Sequence, residues 1–252
     1  MSSVFGRLLS AIEAEQPVAV AKVIAAPSGL GTQLLVPHNG PAEGDFAIPD
    51  LRPRVESEAR ELLARLALSQ TRKYEPDVEV FFDVYLAPPT LLLFGAVHVG
   101  AALCRLASAI GFRVKVVDAR GFFATKERFP DASEIAIAHA DDYLAQHPIG
   151  PNTYVAVLSH DPKLDDPALF AAVNSPARYI GAVGSRKTHA ERLQRLRERG
   201  VTDEQLRRIH GGPVGLDIGA VTPEEIALSI LGQVVAAKNG QESPPISLKE
   251  PA

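Results

Sequence analysis

Two adjacent prolines, Pro88 and Pro89, divide this 252-residue chain into halves with different hydrophobic patterns. After the prolines, residues 90–96 form an apolar run without alternation, and apolar residues recur at helical spacing over residues 99–110. A run of the first kind is typical of a strand that is buried on both faces of a parallel sheet. Because this strand–turn–helix pattern repeats, residues 90–238 are predicted to form a Rossmann-like α/β domain with a parallel, doubly wound sheet.

The remaining elements of this domain follow from the same patterns. Further strands are predicted at residues 113–119, 153–159 and 177–183. Further helices are predicted at residues 166–174, 186–199 and 223–238. The last helix has Thr222 as its predicted cap and Pro223 in its first turn. Residues 239–252 are polar and contain prolines, and are predicted to form a flexible tail.

Residues 1–87 are predicted to form a smaller α+β domain. Helices are predicted at residues 3–15 and 54–68, and strands at residues 18–26, 32–37 and 78–86. The first two strands flank Gly29 and Gly31, which predicts a hairpin. Because proline neither continues a helix nor donates to a sheet ladder, the domain boundary is placed at residues 86–90.

Composition narrows the class of protein and its partners. With 26 basic and 30 acidic residues the formal net charge is −4, so no overall attraction to nucleic acid or to anionic membrane is expected. The single cysteine, Cys104, excludes an intramolecular disulfide bond and a zinc site built from several thiolates. Polar residues and glycines interrupt the most apolar stretch, and the N-terminus lacks the pattern of a signal peptide. The sequence therefore predicts a cytoplasmic protein without a membrane span.

The sharpest local signal is the turn between the first strand and the first helix of the Rossmann-like domain. Gly95, His98 and Gly100 lie in this turn, and Asp118 ends the next strand. In a dinucleotide-binding turn, glycines allow a tight bend, phosphate binds at the helix N-terminus and the acidic residue binds ribose hydroxyls. Val97 stands where that fingerprint has its middle glycine. The residues alone leave two readings open, a dinucleotide-binding unit and a Rossmann-like unit that binds no dinucleotide.

Later segments also place polar residues next to predicted strand ends. His160 follows a strand, where it is either a ligand donor or proton carrier, or an ordinary loop histidine. Gly184, Ser185 and Arg186 follow the next strand and form a candidate phosphate cradle, because the serine caps a helix and Arg186 and Lys187 add two cations. Asp217 lies in a glycine-containing loop that either brings backbone close to a ligand or makes a tight path.

Other polar residues are given structural interpretations. Cys104 is interpreted as a small buried residue. The distal arginines of the helix at 186–199 are interpreted as a solvated face: Arg192, Arg195, Arg197 and Arg199. The sequence offers no paired carboxylates at catalytic spacing, no nucleophile elbow and no metal-ligand cluster. No catalytic residue and no metal ligand is therefore predicted.

In combination, these motifs resemble the XdhC/CoxI family of accessory proteins for molybdenum hydroxylases such as xanthine dehydrogenase and aerobic carbon monoxide dehydrogenase. They occur in the family's order over residues 91–238, and residues 17–36 resemble the family's first domain more weakly. The segments that carry the resemblance are Gly-x-x-His-Val-Gly at 95–100, VVDAR at 116–120, Ser-His-Asp at 159–161, Gly-x-x-Gly-Ser-Arg-Lys at 181–187, Pro-Val-Gly-Leu-Asp-Ile-Gly-Ala at 213–220 and Thr-Pro-Glu-Glu-Ile-Ala at 222–227.

The resemblance implies a non-catalytic role in maturation. Family members bind the molybdenum cofactor, an anionic pterin phosphate (molybdopterin) that some forms extend with a nucleotide, and help to load the sulfurated cofactor into the apo-hydroxylase. The resemblance thus implies this cofactor as transported ligand and the apo-hydroxylase and a cysteine desulfurase as partners, with a homodimer left open. The cofactor-binding residues that it implies are Gly95, His98, Gly100, Asp118, His160, Gly184, Ser185, Arg186 and Asp217.

Two departures from the family pattern bear on this interpretation. Many family members carry a Gly-Gly-Cys-x-Glu segment after the opening strands, whereas residues 44–51 contain no cysteine here. The family turn usually reads Gly-Ala-Gly-His-Val-Gly, and Val97 replaces its middle glycine. Two alternatives therefore stay open. One is an NAD(P)-dependent oxidoreductase, favoured by Gly95 and Asp118 and opposed by Val97, and the other is an assembly chaperone that binds the apo-hydroxylase without cofactor.

Overall fold

The structure, a computed structural model, describes residues 4–74 and 76–241. The chain divides into two compact units, Met1–Pro88 and Pro89–Ala252. From residue 242 onward, the tail predicted at 239–252 lies outside the described residues.

The first unit is a four-stranded antiparallel sheet with two helices. The helices are α1 (Val4–Glu13) and α2 (Arg52–Ala64), and the strands are β1 (Val18–Ala25), β2 (Gln33–Pro37), β3 (Gln70–Tyr74) and β4 (Val78–Tyr85). The strand order is β2-β1-β4-β3, and every neighbouring pair is antiparallel. The predicted hairpin is confirmed, because β1 and β2 pair directly.

Alternating side chains of β1 supply the two faces of this sheet. Ala19 and Val23 join the core that also contains Val55 of α2. Val18 and Val20 face the opposite way and pack with the partly buried apolar residues of α1. This period-two alternation is what a strand covered by a helix on each face requires.

The first unit also differs from its prediction. Helix α2 ends at Ala64 rather than residue 68, and Leu66 just beyond it adopts a left-handed backbone with φ of +52°. Strand β3 was absent from the prediction, because in this polar edge strand Tyr74 alone is buried. A strand without an apolar face carries no periodic signal.

The second unit alternates strands and helices. Its strands are β5 (Thr90–Phe94), β6 (Arg113–Val117), β7 (Glu134–Ala136), β8 (Thr153–Val157), β9 (Tyr179–Ala182) and β10 (Ile209–Gly211). Its helices are α3 (His98–Ala109), α4 (Ala140–Gln146), α5 (Pro162–Val173), α6 (Arg186–Glu198), α7 (Asp203–Leu206) and α8 (Pro223–Lys238).

All six strands run parallel in the order β10-β9-β8-β5-β6-β7. The predicted fold class, a Rossmann-like parallel sheet preceded by a smaller α+β region, is confirmed. The chain order reverses between β5 and β8, which lie side by side. In open sheets of this kind, ligands bind beyond the carboxyl ends of the strands at such a reversal.

Helices cover both faces of the parallel sheet. Leu91 and Leu93 of β5 point into the core that contains residues of α3 and α8. Leu92 and Phe94 point into the opposite core, which contains residues of α5 and α6. Burial on both faces explains why these strands read as continuous apolar runs.

Helix α5 begins four residues earlier than predicted. Asp161 caps it, since its side chain accepts a hydrogen bond of 2.9 Å from the N–H of Lys163, and Pro162 occupies the first position. Two acidic residues near the start of the helix, Asp165 and Asp166, are buried. Because polar residues occupy buried positions at the start of this helix, the apolar periodicity did not predict that start.

None of the helices within the described ranges combines the length and the apolar character that crossing a bilayer requires.

Candidate functional site

The carboxyl ends of β5 and β8 approach each other closely at the reversal of strand order. Gly95 has a φ of +106°, and a Cβ atom placed on it would lie 2.7 Å from the backbone nitrogen of Ser159. Gly100 is buried in the first turn of α3, where a Cβ would lie 3.0 Å from the carbonyl oxygen of Gly95. Both glycines are therefore required by the packing of the turn itself.

Asp118, at the end of β6, is buried and already engaged within the chain. Its Oδ2 accepts hydrogen bonds from the N–H of Ala96 at 2.7 Å and from Nη2 of Arg120 at 2.7 Å. Its Oδ1 accepts from the N–H and from Nε of Arg120, both at 2.9 Å. Four donors thus occupy the roughly four acceptor positions of a carboxylate.

The electrostatics of Asp118 agree with this geometry. Burial acts to raise its pKa, but the hydrogen bonds from Arg120 and Ala96 outweigh burial and hold the pKa below its ordinary value. Arg120 was not singled out by the sequence interpretation. In the sequence, this residue stood out only as the last position of the VVDAR segment. The bidentate ion pair between Arg120 and Asp118 holds the turn that follows β6. Binding of ribose by Asp118 remains a prediction.

A cavity of about 400 Å³ lies beyond β9, between the start of α6 and the loop that precedes α8. Four of the residues proposed to bind cofactor line it, namely His160, Gly184, Ser185 and Asp217. Most of the wall is apolar and is formed by Val99, Val183, Val214, Leu216, Ile218 and Ile226. An apolar pocket of this size with a few convergent polar groups is typical of small-ligand sites.

The turn from β9 to α6 forms the polar end of the cavity. Ser185 caps the helix, since its Oγ accepts from the N–H of Thr188 at 3.1 Å. Gly184 has a φ of +142°, a conformation that side chains disfavour. Among the described residues, no acceptor binds the N–H groups of Gly184 or Ser185. Free N–H groups at a helix start attract anions.

His160 follows β8 in a left-handed conformation, with φ of +64°, and its side chain is exposed. A non-glycine residue in this region of backbone space is uncommon and stores strain. Such strain is found at ligand sites more often than elsewhere, and His160 lines the cavity.

The loop that carries Asp217 is anchored to α8 on one side. The N–H of Gly215 donates to Oε1 of Gln233 at 2.9 Å, and the hydroxyl of Tyr179 donates to the same oxygen at 3.0 Å. A Cβ atom on Gly215 would overlap Oγ of Ser229, so only glycine fits there. Beyond this anchor, Asp217 is exposed and lines the cavity.

The remaining predicted site residues lie outside the lining of this cavity. His98 and Arg186 are exposed at the first positions of α3 and α6. Gly95 and Asp118 line a much smaller pocket beyond β5 and β6. The structure therefore gathers four of the nine predicted residues around one cavity, and ligand binding by each of the nine remains a prediction.

One structural interpretation of the sequence is wrong. Arg192 is not part of a solvated helix face but is 1% exposed, packed beneath the β9–α6 turn. Its Nη2 donates to the carbonyl oxygen of Val183 at 2.7 Å. Arg195 is partly exposed and forms a bidentate ion pair with Asp166. Helical periodicity does not report that a charged residue on a polar helix is buried.

Cys104 is buried, as interpreted from the sequence. Burial raises the pKa of its thiol to about 11, so the thiol is protonated near neutral pH and is a poor sulfur nucleophile. Within the described part of the chain, no three His, Cys, Asp or Glu side chains are grouped so that they could hold a metal ion.

Comparisons with known proteins place this chain in a family. A family model described as the XdhC Rossmann domain matches residues 91–234, more than half of the chain. The uncharacterized protein YqeB of Escherichia coli (strain K12) is 34% identical over 165 residues, which cover 64% of this chain and 30% of that protein. A probable xanthine dehydrogenase subunit of Bacillus subtilis (strain 168) is 29% identical over 165 residues, covering 66% of this chain and 48% of that protein.

The molybdenum cofactor insertion chaperone PaoD of Escherichia coli (strain K12) is 38% identical over 94 residues, which cover 37% of this chain and 29% of that protein. The chain thus spans between about three tenths and about half of the length of these relatives. A solved structure described as a xanthine dehydrogenase from Bacillus halodurans has a TM-score of 0.56 at 20% identity, covering 96% of this chain and 97% of that one, and shows the shared fold. Because the family model covers most of the second unit, this chain belongs to the XdhC family.

Proposed function

We propose that this chain is a maturation factor that binds the molybdenum cofactor in the cavity beyond β9 and assists its insertion into a molybdenum hydroxylase. The observation that carries the proposal is the pairing of an apolar cavity with free N–H groups at the start of α6. The names of two relatives, a molybdenum cofactor insertion chaperone and a probable xanthine dehydrogenase subunit, support the same role.

The chemistry of the cofactor fits the two ends of the cavity. The pyrimidine ring of a pterin is flat, and apolar walls such as Leu216 and Ile226 suit its faces. The amino and ring N–H groups along its pyrimidine edge are donors for the Asp217 carboxylate. The phosphate fits the Gly184–Ser185 turn, where backbone N–H groups and the helix dipole favour an anion. His160 lies on the remaining polar side and is proposed to approach the molybdenum end.

The oxidoreductase alternative has less support. Val97 is the residue before α3, with a branched side chain where the pyrophosphate of a dinucleotide needs bare backbone. The carboxylate that would bind the ribose, that of Asp118, accepts four hydrogen bonds from Ala96 and Arg120. The apo-hydroxylase is the proposed partner, and a cysteine desulfurase and a homodimer remain predictions.

Cofactor retention by purified variants tests the proposal. The protein is produced in cells that make the cofactor, and bound molybdenum is measured by mass spectrometry and bound pterin by fluorescence after oxidation. Asp217→Ala and Arg186→Ala are each expected to lower retention by about tenfold to a hundredfold, the value of one hydrogen bond to a charged group. His160→Ala tests the metal end in the same assay.

Two substitutions serve as matched controls. Asp203→Ala removes an exposed carboxylate on α7, and Arg197→Ala removes its ion-pair partner near the far end of α6. Neither residue lines the cavity or lies in the first turn of α6, where Arg186 adjoins the proposed phosphate site, so both variants are expected to retain cofactor like the unmodified protein. Wild-type retention in Asp217→Ala, Arg186→Ala and His160→Ala would contradict the proposed site and favour an assembly chaperone that acts through its external surface.

A further inference from the structure

A buried arginine lies beneath the turns that flank the cavity. Arg192 is the largest fully buried side chain among the described residues. Two of its nitrogens, Nε and Nη1, have no hydrogen-bond partner in the described part of the chain. Burying a charged group is costly, and an apolar side chain of similar volume would fill the same space at lower cost. The stability of the fold alone therefore does not account for an arginine at this position.

The contacts of Arg192 reach the ends of two neighbouring strands. On the β9 side, its Nη2 donates to the carbonyl oxygen of Val183, the residue before Gly184. On the β8 side, the same nitrogen lies 3.6 Å from Oδ2 of the buried Asp165. Asp165 in turn accepts a hydrogen bond of 2.5 Å from Oγ of Ser159, the residue before His160. One guanidinium group thus joins the two turns that carry His160 and Ser185.

The bond to Val183 also determines where the next N–H points. A trans peptide is planar, and its C=O and N–H groups point in opposite directions. Because the Val183 carbonyl is directed at the buried guanidinium, the N–H of Gly184 is directed away from Arg192. Gly184 lines the cavity, and its N–H donates to no acceptor among the described residues. Arg192 thereby keeps this donor available at the start of α6.

We infer that Arg192 is a positioning residue for a phosphate group. It holds the Val183–Gly184 peptide so that the Gly184 N–H faces the ligand, and it couples this turn to the Ser159–His160 turn through Asp165. The inference rests on the proposed function, which places the phosphate of the pterin at the Gly184–Ser185 turn. The inference adds that recognition of the phosphate depends on Arg192, which the ligand does not contact. Recognition of the pterin ring does not depend on this residue.

Two fluorescent probes separate phosphate recognition from ring recognition. The first is the stable pterin phosphate obtained by oxidising molybdopterin, and the second is the same pterin after treatment with phosphatase. Binding of each to the full chain is measured by fluorescence polarisation. The unmodified protein is expected to prefer the phosphorylated probe. Arg192→Met is expected to reduce this preference by about tenfold while binding of the dephosphorylated probe stays unchanged.

Matched variants keep the test decisive. Arg195 lies on the same helix but contacts Asp166 and neither of the two turns. The Arg195→Met variant is therefore expected to keep the full preference for the phosphorylated probe. Arg192→Lys retains a donor and is expected to restore part of the preference. If Arg192→Met does not fold, Arg192→Met combined with Asp165→Asn removes both buried charges and takes its place. Hydrogen exchange is measured at residues 159–161 and 183–187 in every variant.

The outcomes distinguish this inference from the proposed function. A reduced phosphate preference, with faster exchange in both turns, supports the positioning role. Equal loss of both probes, or an unchanged preference in a folded variant, overturns it and leaves Arg192 a structural residue. If the unmodified protein binds neither probe, the proposed function is contradicted and so is the phosphate role. The exchange data would then decide whether Arg192 couples the two turns.

Discussion

At the carboxyl edge of the parallel sheet, individual residues have structural roles that do not depend on any ligand. Gly95 permits the close approach of β5 and β8, and Asp118 ties Arg120 to the turn that follows β5. Both would be read as ligand contacts from a dinucleotide-binding pattern. Each of these residues also has a contact within the protein. The loss of stability expected when either residue is replaced can therefore be stated.

Replacing Gly95 by alanine is expected to destabilise the protein more than the same change at Gly111. Both glycines have positive φ, of +106° and +88°, so each alanine incurs a similar backbone penalty of about 1 kcal/mol. At Gly95 the new Cβ also meets the Ser159 backbone at 2.7 Å, whereas at Gly111 it meets nothing within 4 Å. Chemical denaturation measures the difference, expected to be about 1–3 kcal/mol. Equal losses at the two sites would refute the close packing of β5 and β8.

The stabilising effect of Asp118 is expected to depend on pH. Its folded-state pKa lies below the ordinary value, so its contribution is complete above the unfolded-state pKa of about 4 and is lost as the pH falls through the folded-state pKa. Asp118→Asn should therefore cost about 1–3 kcal/mol at pH 7 and progressively less below pH 4. Urea unfolding at several pH values measures this, with the exposed Asp217→Asn as control. A cost independent of pH would argue against the ionised pair with Arg120.

At the scale of elements, long periodic segments were predictable and short or polar ones were not. Helix α8 has its predicted bounds, because Thr222, Pro223 and an apolar stripe mark it together. Strands β7 and β10 have three residues each, too few to show a period. Arg192 was misplaced for another reason, since its burial depends on tertiary packing against α5 and the end of β9, which the periodicity of α6 does not show. It was predictable from the sequence that the candidate site residues lie near the ends of strands. Which of them line the 400 Å³ cavity and which line the smaller pocket beyond β5 and β6 required the three-dimensional structure.

Helix α6 and strand β10 each carry a half-buried histidine, and both histidines are expected to make the fold sensitive to acid. Burial lowers the pKa of His189, with Arg192 adding to the effect, and burial also lowers the pKa of His210. The unfolded chain therefore binds more protons, and stability falls as the pH drops below about 6.5. Thermal unfolding between pH 7.5 and pH 5 should show this loss. His210→Gln should weaken the dependence, whereas the exposed His38→Gln should not. An identical slope in all three proteins would contradict the burial of His210.

At the scale of the whole molecule, we propose that the Rossmann-like sheet supports a ligand site without the chemistry of a dehydrogenase. The reversal between β5 and β8 creates the crevice, and the larger cavity lies to one side of it, beyond β9. The side that a dinucleotide would use is occupied by Val97 and by the Asp118–Arg120 pair. Nucleotide-binding enzymes share this architecture. We propose that the function of this chain depends on which of its two pockets can accept a ligand.

We therefore expect no dehydrogenase activity. Calorimetry with oxidised and reduced NAD and NADP should give no micromolar binding, because a valine crowds the pyrophosphate position and the acidic residue has no free acceptor. Val97→Gly is an informative variant, since it restores the glycine that the fingerprint has at that position. Micromolar binding by the unmodified protein, coupled to turnover of a small substrate, would overturn this expectation.

Transfer of cofactor from this chain to an apo-hydroxylase is the direct test of the proposed maturation role. Protein loaded with molybdenum cofactor is mixed with the apo-enzyme of a molybdenum hydroxylase that is free of cofactor, and molybdenum content and hydroxylase activity are followed together. We expect molybdenum to leave this chain and hydroxylase activity to appear in proportion. The Asp217→Ala protein is expected to retain little cofactor and to activate correspondingly little enzyme. Activation to the same extent by cofactor-free protein, or by Asp217→Ala at wild-type level, would contradict it.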